Sequence, residues 1–336
     1  MSYHHQHPNL FKVATFNLFN LVMPNQRYYG KNMYTQAEFE AKKAWILSQF
    51  DKLDADVIGF QEVFHEEALR DVMLSHPKYK DAHLIMGKRK GGSPAVAIIS
   101  RYPIVSHETY TEFPEQLSVE GLVVPFTQFS RPILKAVVEV RVGLKIEFFV
   151  GHLKSKRPLI PEDVKDRYDP LEISKGQARS LLLRAVEANA LRTILLQSLK
   201  NRKTPVIVLG DLNDTHTSVT TQIISGQTPP RHWPVEHKKK LWDIVLYHTK
   251  DIQARQSSTD VYYTHIHNGH YESLDHIMVS EELVKENPDR IGRVIFVRTF
   301  NDHIVDETLS EDEINSWQSD HAQVVASIEL EYPNKI

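Results

Sequence analysis

Val206-Ile207-Val208-Leu209-Gly210-Asp211-Leu212-Asn213-Asp214 is the stretch on which the fold turns. Its first four residues are continuously apolar, which suits a strand covered on both faces rather than one half-exposed to water. The run stops abruptly at Gly-Asp-Leu-Asn-Asp. A buried strand that ends in two acids and an amide delivers polar groups to the rim of a sheet, where open α/β folds place their sites. Further strand-like runs occupy 12–19, 55–60, 95–100, 133–140, 145–150, 273–279, 291–298 and 322–330. Two long helical segments separate them. The first opens with Thr35 and Glu38 at capping-box spacing and carries Phe39, Ile46, Phe50 and Leu53 along one face. The second covers 174–199, with Leu181, Ala185, Ala188, Leu191, Leu195 and Leu199 recurring every three or four residues. Both are expected to pack on a sheet. There is no internal repeat, low-complexity tract or Gly/Ser linker. The least regular stretches, 111–130, 155–170 and 214–271, read as insertions on one domain spanning 11–330, between flexible termini 1–10 and 331–336.

Composition removes several function classes. The 336 residues include 40 Lys and Arg against 43 Asp and Glu, a formal net charge of −3. That balance argues mildly against an extended duplex footprint, although a local cleft can still be positive. With 41% hydrophobic and 25% charged residues the chain has a globular composition. It contains no cysteine, which excludes a disulfide scaffold, a thiolate nucleophile and cysteine-ligated zinc or iron-sulfur clusters. Any metal must sit on oxygen or imidazole. Nowhere do 18 apolar residues follow one another, and the first 16 residues hold no apolar run of signal-peptide length. The expectation is a soluble cytoplasmic protein without a transmembrane segment, with His4, His5 and His7 in a disordered start.

Six polar clusters each end an apolar run: Asn17 in TFN, Glu62 in GFQE, His152 in VGHL, Asp211 and Asn213 in LGDLND, Asp275 in SLDHI, and Asp320 with His321 in QSDHA. In this order they resemble the endonuclease/exonuclease/phosphatase superfamily, which includes deoxyribonuclease I, exonuclease III and neutral sphingomyelinases. The resemblance runs from about residue 11 to 330. It implies an α/β fold, a four-layer α/β/β/α sandwich of two mixed sheets flanked by helices, and metal-assisted hydrolysis of a phosphate ester.

The residue types suit that chemistry. An anionic phosphodiester resists water unless developing charge is neutralised and the water is oriented. Carboxylates and an amide select a hard cation such as Mg²⁺, with Mn²⁺ or Ca²⁺ as substitutes. Glu62 is the first choice of ligand, Asp320 an additional one, and Asn17 a contact to metal or phosphate. By resemblance, Asp211 orients or deprotonates the attacking water and Asn213 helps to place it. His321, paired with Asp275, binds or protonates phosphate oxygens, and His152 is a phosphate-contacting acid. Bland alternatives stand beside these roles: a helix cap or Asx turn for Asp211 and Asn213, a core histidine for His152. An EF-hand loop starting at Asp211 fails, because its sixth position is His216, where the turn needs Gly. Asp214 is read as a structural cap, and His276, one residue from Asp275 on a strand, as facing away from the site.

Outside the clusters, Lys154, Lys156 and Arg157 either clamp a phosphate or form a solvated turn. Lys88, Arg89 and Lys90 precede GGSPAV, which resembles a DNA-contacting loop of exonuclease III relatives but lacks its aromatic. Lys238 to Lys240 reads as surface charge. His265, His267 and His270 suggest a second metal site, though an exposed loop fits them as well. One position departs from the exonuclease III pattern: an acid is expected two residues after Asn17, where Phe19 stands, so one metal ligand is missing. The expected function is a metal-dependent phosphodiesterase or nuclease. The alternatives are a phosphomonoesterase or phospholipid/inositol phosphate hydrolase, for which 113–129 is the apolar patch, and a non-catalytic nucleic-acid-binding module. Nucleic acid or nucleotide is favoured over lipid as the partner, and no protein partner is inferable.

Overall fold

The structure, a computed structural model, describes all residues except 1–8, 31, 88–92, 116–125, 201–203, 228, 230, 231, 257–261, 268, 307–312 and 332–336. His4, His5, His7, Lys88, Arg89, Lys90 and the centre of the 113–129 stretch therefore lie outside the described residues. The chain runs β1 (Leu10–Leu21), β2 (Arg27–Tyr28), β3 (Asn32–Met33), α1 (Gln36–Leu53), β4 (Val57–Val63), α2 (Glu66–Leu74), β5 (His83–Met86), β6 (Ala95–Ser100), β7 (Ile104–Glu112), β8 (Gln128–Arg141), β9 (Leu144–His152), α3 (Pro170–Leu199), β10 (Val206–Asp211), α4 (Val219–Ser225), α5 (Val235–Trp242), β11 (Tyr247–His248), α6 (Thr249–Gln256), β12 (His265–His267), β13 (His270–Glu272), β14 (Asp275–Val279), β15 (Gly292–Phe300) and β16 (Gln323–Leu330).

Two six-stranded sheets dominate, ordered β15-β16-β1-β4-β6-β5 and β11-β14-β10-β9-β8-β7. Each is mixed: β1 and β4 are parallel in the first, β9 and β10 in the second, and their other pairings are antiparallel. The expected layered sandwich is what forms. Strand β10 shows why. Ile207 and Leu209 point between the sheets, in one cluster with Val13, Val57, Val150 and Ile277, while Val206 and Val208 pack outward with Leu191, Ile194 and Leu195 of α3. Helices α1 and α2 cover the outer face of the first sheet through Phe39, Phe50 and Leu69 against Phe16, Ile58 and Phe60. The sheets approach so closely at Gly59 that an added Cβ would lie 3.1 Å from Leu209. At Gly210 it would run into the carbonyl oxygen of Gly151 on the neighbouring strand, so only glycine fits before Asp211.

The capping box at Thr35 is present: the Thr35 hydroxyl accepts the Glu38 N–H at 3.2 Å and the Glu38 carboxylate accepts the Thr35 N–H at 2.8 Å. Helix α3 starts four residues before the expected 174, because Asp169 caps it and Pro170 occupies its first turn. Its inward stripe also differs: Leu181 is 50% exposed, and Ser180, Leu183, Arg184 and Glu187 face inward. Glu187 accepts the backbone N–H groups of Ser130 (2.6 Å) and Lys154 (2.7 Å), so the first half of the stripe is polar and apolar periodicity missed it. The segment 214–271 is more regular than expected, holding α4, α5, α6 and the β12–β13 hairpin.

Asp54 closes α1 in the left-handed conformation, with a φ of 42°. Its carboxylate accepts from Lys78 at 2.8 Å, Arg101 at 3.0 Å and Lys12 at 3.4 Å. Burial pushes its pKa up, but the hydrogen bonds from Lys78 and Arg101 and the charge of Lys12 win, holding it at about 2. A carboxyl depressed in the folded state adds stability above its unfolded pKa and loses it as pH falls through the folded one. Asp54→Asn is therefore expected to cost about 2 kcal/mol in urea unfolding at pH 7, and about half of that at pH 3. An equal cost at both pH values would contradict the assignment.

Candidate active site

The parallel register of β10 with β9 sets Asp211 beside His152, and its antiparallel register with β14 sets Asp211 beside Asp275. The same end of the first sheet supplies Glu62, just past the Asn17–Gln61 pair of β1 and β4. Both sheets thus open onto one cavity of about 900 Å³, lined by Glu62, Arg131, His152, Arg157, Asp211, Asn213, His265, Asp320 and His321 among others. Five of the seven non-glycine residues with positive φ among the described residues, Phe19 (48°), Asn20 (65°), Tyr29 (45°), Glu62 (63°) and Asn213 (55°), line this cavity. Such conformations cost of order 1 kcal/mol or more each and persist where the surroundings impose them, so the backbone strain points to the same place as the polar groups.

Asp211, 1% exposed, stands at the centre. One carboxylate oxygen, Oδ1, accepts the Asn213 N–H at 2.8 Å. The other, Oδ2, lies 3.2 Å from the Asn17 amide nitrogen, 3.4 Å from His152 Nε2 and 3.7 Å from His321 Nε2. Burial, together with the charges of Asp275 and Glu62, raises its pKa to about 7 against the pull of His321. His321 Nδ1 donates to Asp275 Oδ2 at 2.8 Å. Although burial disfavours its charge, Asp275 and Asp211 hold the His321 pKa well above the usual value, so the ring is an imidazolium at neutral pH. His152 goes the other way: burial, then the charges of Arg131, His321 and Lys154, push its pKa well down. It is a neutral hydrogen-bonding group.

Asn17 and Lys154 sit differently from expectation, whereas Asp214 and His276 have the structural roles expected of them. Asn17, expected on metal or phosphate, lies behind the cavity wall: its amide oxygen accepts the Phe19 N–H at 3.0 Å and its nitrogen faces Asp211, so it orients that carboxylate. Lys154 does not clamp a ligand; its ammonium folds back onto Ser155 O (3.1 Å) and Arg157 O (3.0 Å). Lys156 lines the cavity but is paired with Glu272 at 2.7 Å, while Arg157 lines it as well. Asp214 accepts from Arg184 (3.0 Å) and Thr220 (2.7 Å), bracing α3 and α4. His276 faces away from the site and bonds the Asp214 carbonyl at 2.8 Å.

Two residues escaped the sequence reading. Arg131, in the unremarked segment FSRPI, lines the cavity and donates to Leu153 O at 3.3 Å. Its charge is the first influence opposing the burial that raises the Glu62 pKa. Lys42 is fully buried, its ammonium 2.9 Å from Phe19 O. Burial, opposed by Asp320 and Glu62, brings its pKa down to about 7. A signal for Lys42 existed: it occupies a core-facing position, three residues after Phe39 and four before Ile46.

The donors fit a divalent cation. Ligand atoms of His265, Asp320 and His321 lie within 4.8 Å of one another, as do those of Asp211, Asp275 and His321. The Oδ1 atoms of Asp320 and Asp275 are buried without a hydrogen-bond partner, a state that a cation relieves. The set offers oxygen and imidazole donors only, a chemistry that suits a divalent cation.

Comparison with known proteins bears on the fold and the family. No curated protein matches the sequence. A structure of an endonuclease/exonuclease/phosphatase family protein from Bacteroides thetaiotaomicron is 16% identical, with 95% of this chain and 97% of that one covered and a TM-score of 0.56. A mannosyl-6-phosphatase from the same organism is 17% identical, with coverages of 96% and 100% and a TM-score of 0.55. The human nocturnin catalytic domain, solved with bound sulfate, is 14% identical, with coverages of 96% and 95% and a TM-score of 0.56. The profile described as Endonuclease/Exonuclease/phosphatase family matches residues 14–321, a span that holds all six polar clusters. Fold, cluster order and sequence profile coincide: this chain belongs to the endonuclease/exonuclease/phosphatase family, enzymes that hydrolyse phosphate esters.

Proposed function

We propose that the protein is a divalent-metal-dependent phosphodiesterase of the nuclease type, with nucleic acid or nucleotide as substrate and the cytoplasm as its place of work. The observation that carries this is the convergence of Asp211, the Asp275–His321 pair and Glu62 on one cavity. Asp211, as carboxylate, takes the proton of the attacking water and, with Asn213, orients that water in line with the leaving oxygen. The imidazolium of His321 donates a hydrogen bond to a phosphate oxygen, held in orientation by Asp275. Arg131 and Arg157 supply fixed positive charge at the cavity wall, and neutral His152 donates a hydrogen bond. Glu62 and Asp320 would hold a divalent cation through their carboxylate oxygens, and such a cation would supply charge neutralisation at the phosphate. A lipid substrate is disfavoured because Phe113 and Phe129, the described ends of the 113–129 stretch, meet edge-to-face at 4.9 Å and pack against the core rather than facing outward. No described helix is long and apolar enough to cross a membrane.

The test is hydrolysis of bis-p-nitrophenyl phosphate, p-nitrophenyl phosphate, single- and double-stranded DNA, RNA and phospholipid, with and without EDTA. Metal-dependent cleavage of the diester and of a nucleic acid or nucleotide supports the reading; release of phosphate from monoesters alone replaces it with a phosphatase. A pH dependence also follows. Asp211 must be ionised, so kcat/KM is expected to rise as pH increases toward about 7 and to fall again as His321 loses its proton at alkaline pH. A bound cation neutralises the repelling charge of Glu62 and moves the acidic limb down. A rate flat from pH 5 to pH 9 would be incompatible with these two groups.

A further inference from the structure

The β12–β13 hairpin carries His265 into the cavity, where its ring stacks on His321 with centroids 4.6 Å apart and planes 24° from parallel. His265 Nδ1 lies 3.0 Å from the backbone oxygen of Asp320. A carbonyl only accepts, so Nδ1 carries the hydrogen and, in the neutral ring, Nε2 keeps its lone pair. This is the arrangement of a metal-ligating histidine, whose second nitrogen donates to a carbonyl or carboxylate and fixes the tautomer. The same Asp320 contributes a buried carboxylate oxygen without a partner, and donor atoms of His265, Asp320 and His321 fall within 4.8 Å of one another. Of the three, His321 already gives Nδ1 to Asp275. Phe19, meanwhile, lines this cavity with a ring that offers a cation nothing.

We infer that His265 is a nitrogen ligand of a divalent cation that it holds together with Asp320 in this cavity. The inference rests on the metal-dependent reading above. Its consequence is a change of metal preference: a mixed imidazole and carboxylate set favours Mn²⁺ over Mg²⁺, whereas a purely oxygen set suits Mg²⁺. Losing one ligand is expected to weaken Mn²⁺ binding about tenfold or more while changing Mg²⁺ binding far less.

The experiment loads the full chain with Mn²⁺ and records electron spin echo envelope modulation, which reports nitrogen bonded to the ion, beside calorimetric titration with Mn²⁺ and Mg²⁺. Variants are His265→Phe, which keeps a ring against His321, His265→Ala and His321→Ala, each checked by circular dichroism. Nitrogen modulation present in the wild type and in His321→Ala but lost in both His265 variants, with selective weakening of Mn²⁺, is the expected result. Saturable Mn²⁺ binding without nitrogen modulation in the wild type overturns the inference and leaves the metal-dependent enzyme standing. Modulation that survives in His265→Ala and vanishes in His321→Ala also overturns it, transferring the ligand role to His321. If neither cation binds, the metal-dependent reading itself fails and this inference with it.

Discussion

Asp211→Asn is expected to lower kcat for a phosphodiester by about 10³-fold while making the protein more stable. The two effects share one cause. Asp211 is buried between Asp275 and Glu62, and its carboxyl is pushed up to about 7. A carboxyl raised in the folded state opposes folding once pH exceeds its unfolded pKa, because ionisation then favours the unfolded chain. At pH 7 an amide of the same shape removes that opposition and its oxygen still accepts the Asn213 N–H, a net gain on the order of 1–3 kcal/mol after the lost acceptor for Asn17 Nδ2. What it cannot do is take a proton from water. A higher melting temperature together with lost turnover separates a missing base from a misfolded protein; lower stability together with the loss would contradict the buried, repelled carboxylate described here.

The second large effect is at the Asp275–His321 pair. His321→Ala is expected to cost about 10³-fold in turnover, because it removes a charged donor from a buried site. Asp275→Asn is expected to cost about 10²-fold and to lower the His321 pKa, since Asp275 is the foremost contributor raising it against burial. The imidazole signal of His321, followed by NMR against pH, reads that shift directly. A His321 that titrates identically in wild type and Asp275→Asn would show that the 2.8 Å contact does not govern its charge.

Much of this was legible in the sequence, for identifiable reasons. The run from Val206 to Leu209 is buried on both faces because one side meets the opposite sheet and the other meets α3, and such a strand advertises itself as continuous apolarity. Glu62, His152 and Asp211 are recognisable because each is a polar group at the end of an apolar strand, β4, β9 and β10, whereas Asn17 lies inside β1 and Asp275 opens β14, whose antiparallel direction brings its start to the same rim. Residues that act across the fold leave no such trace. Arg131 reaches the cavity only because β8 pairs with β9, and its neighbours in sequence carry no motif. His265 enters through a hairpin set by the pairing of His265 with Glu272, and an alternating His pattern cannot reveal which way such a hairpin folds. The sequence points Asn17 at the ligand rather than at Asp211, because spacing does not tell which of two nested polar groups is nearer the cavity. The edge strand β7 carries few apolar residues and the edge strand β5 is only four residues long, so neither stands out from loops in the sequence.

On the proposed mechanism, residues as far apart in the chain as Asp211 and His321 act on one reacting phosphate. This is tested most directly by a double-mutant cycle on bis-p-nitrophenyl phosphate turnover with Asp211→Asn, His321→Ala and both together. Groups serving one transition state are strongly non-additive, so the double variant is expected to be scarcely slower than the worse single variant. Losses that multiply in full, or single variants that turn over at the wild-type rate, would contradict a shared site.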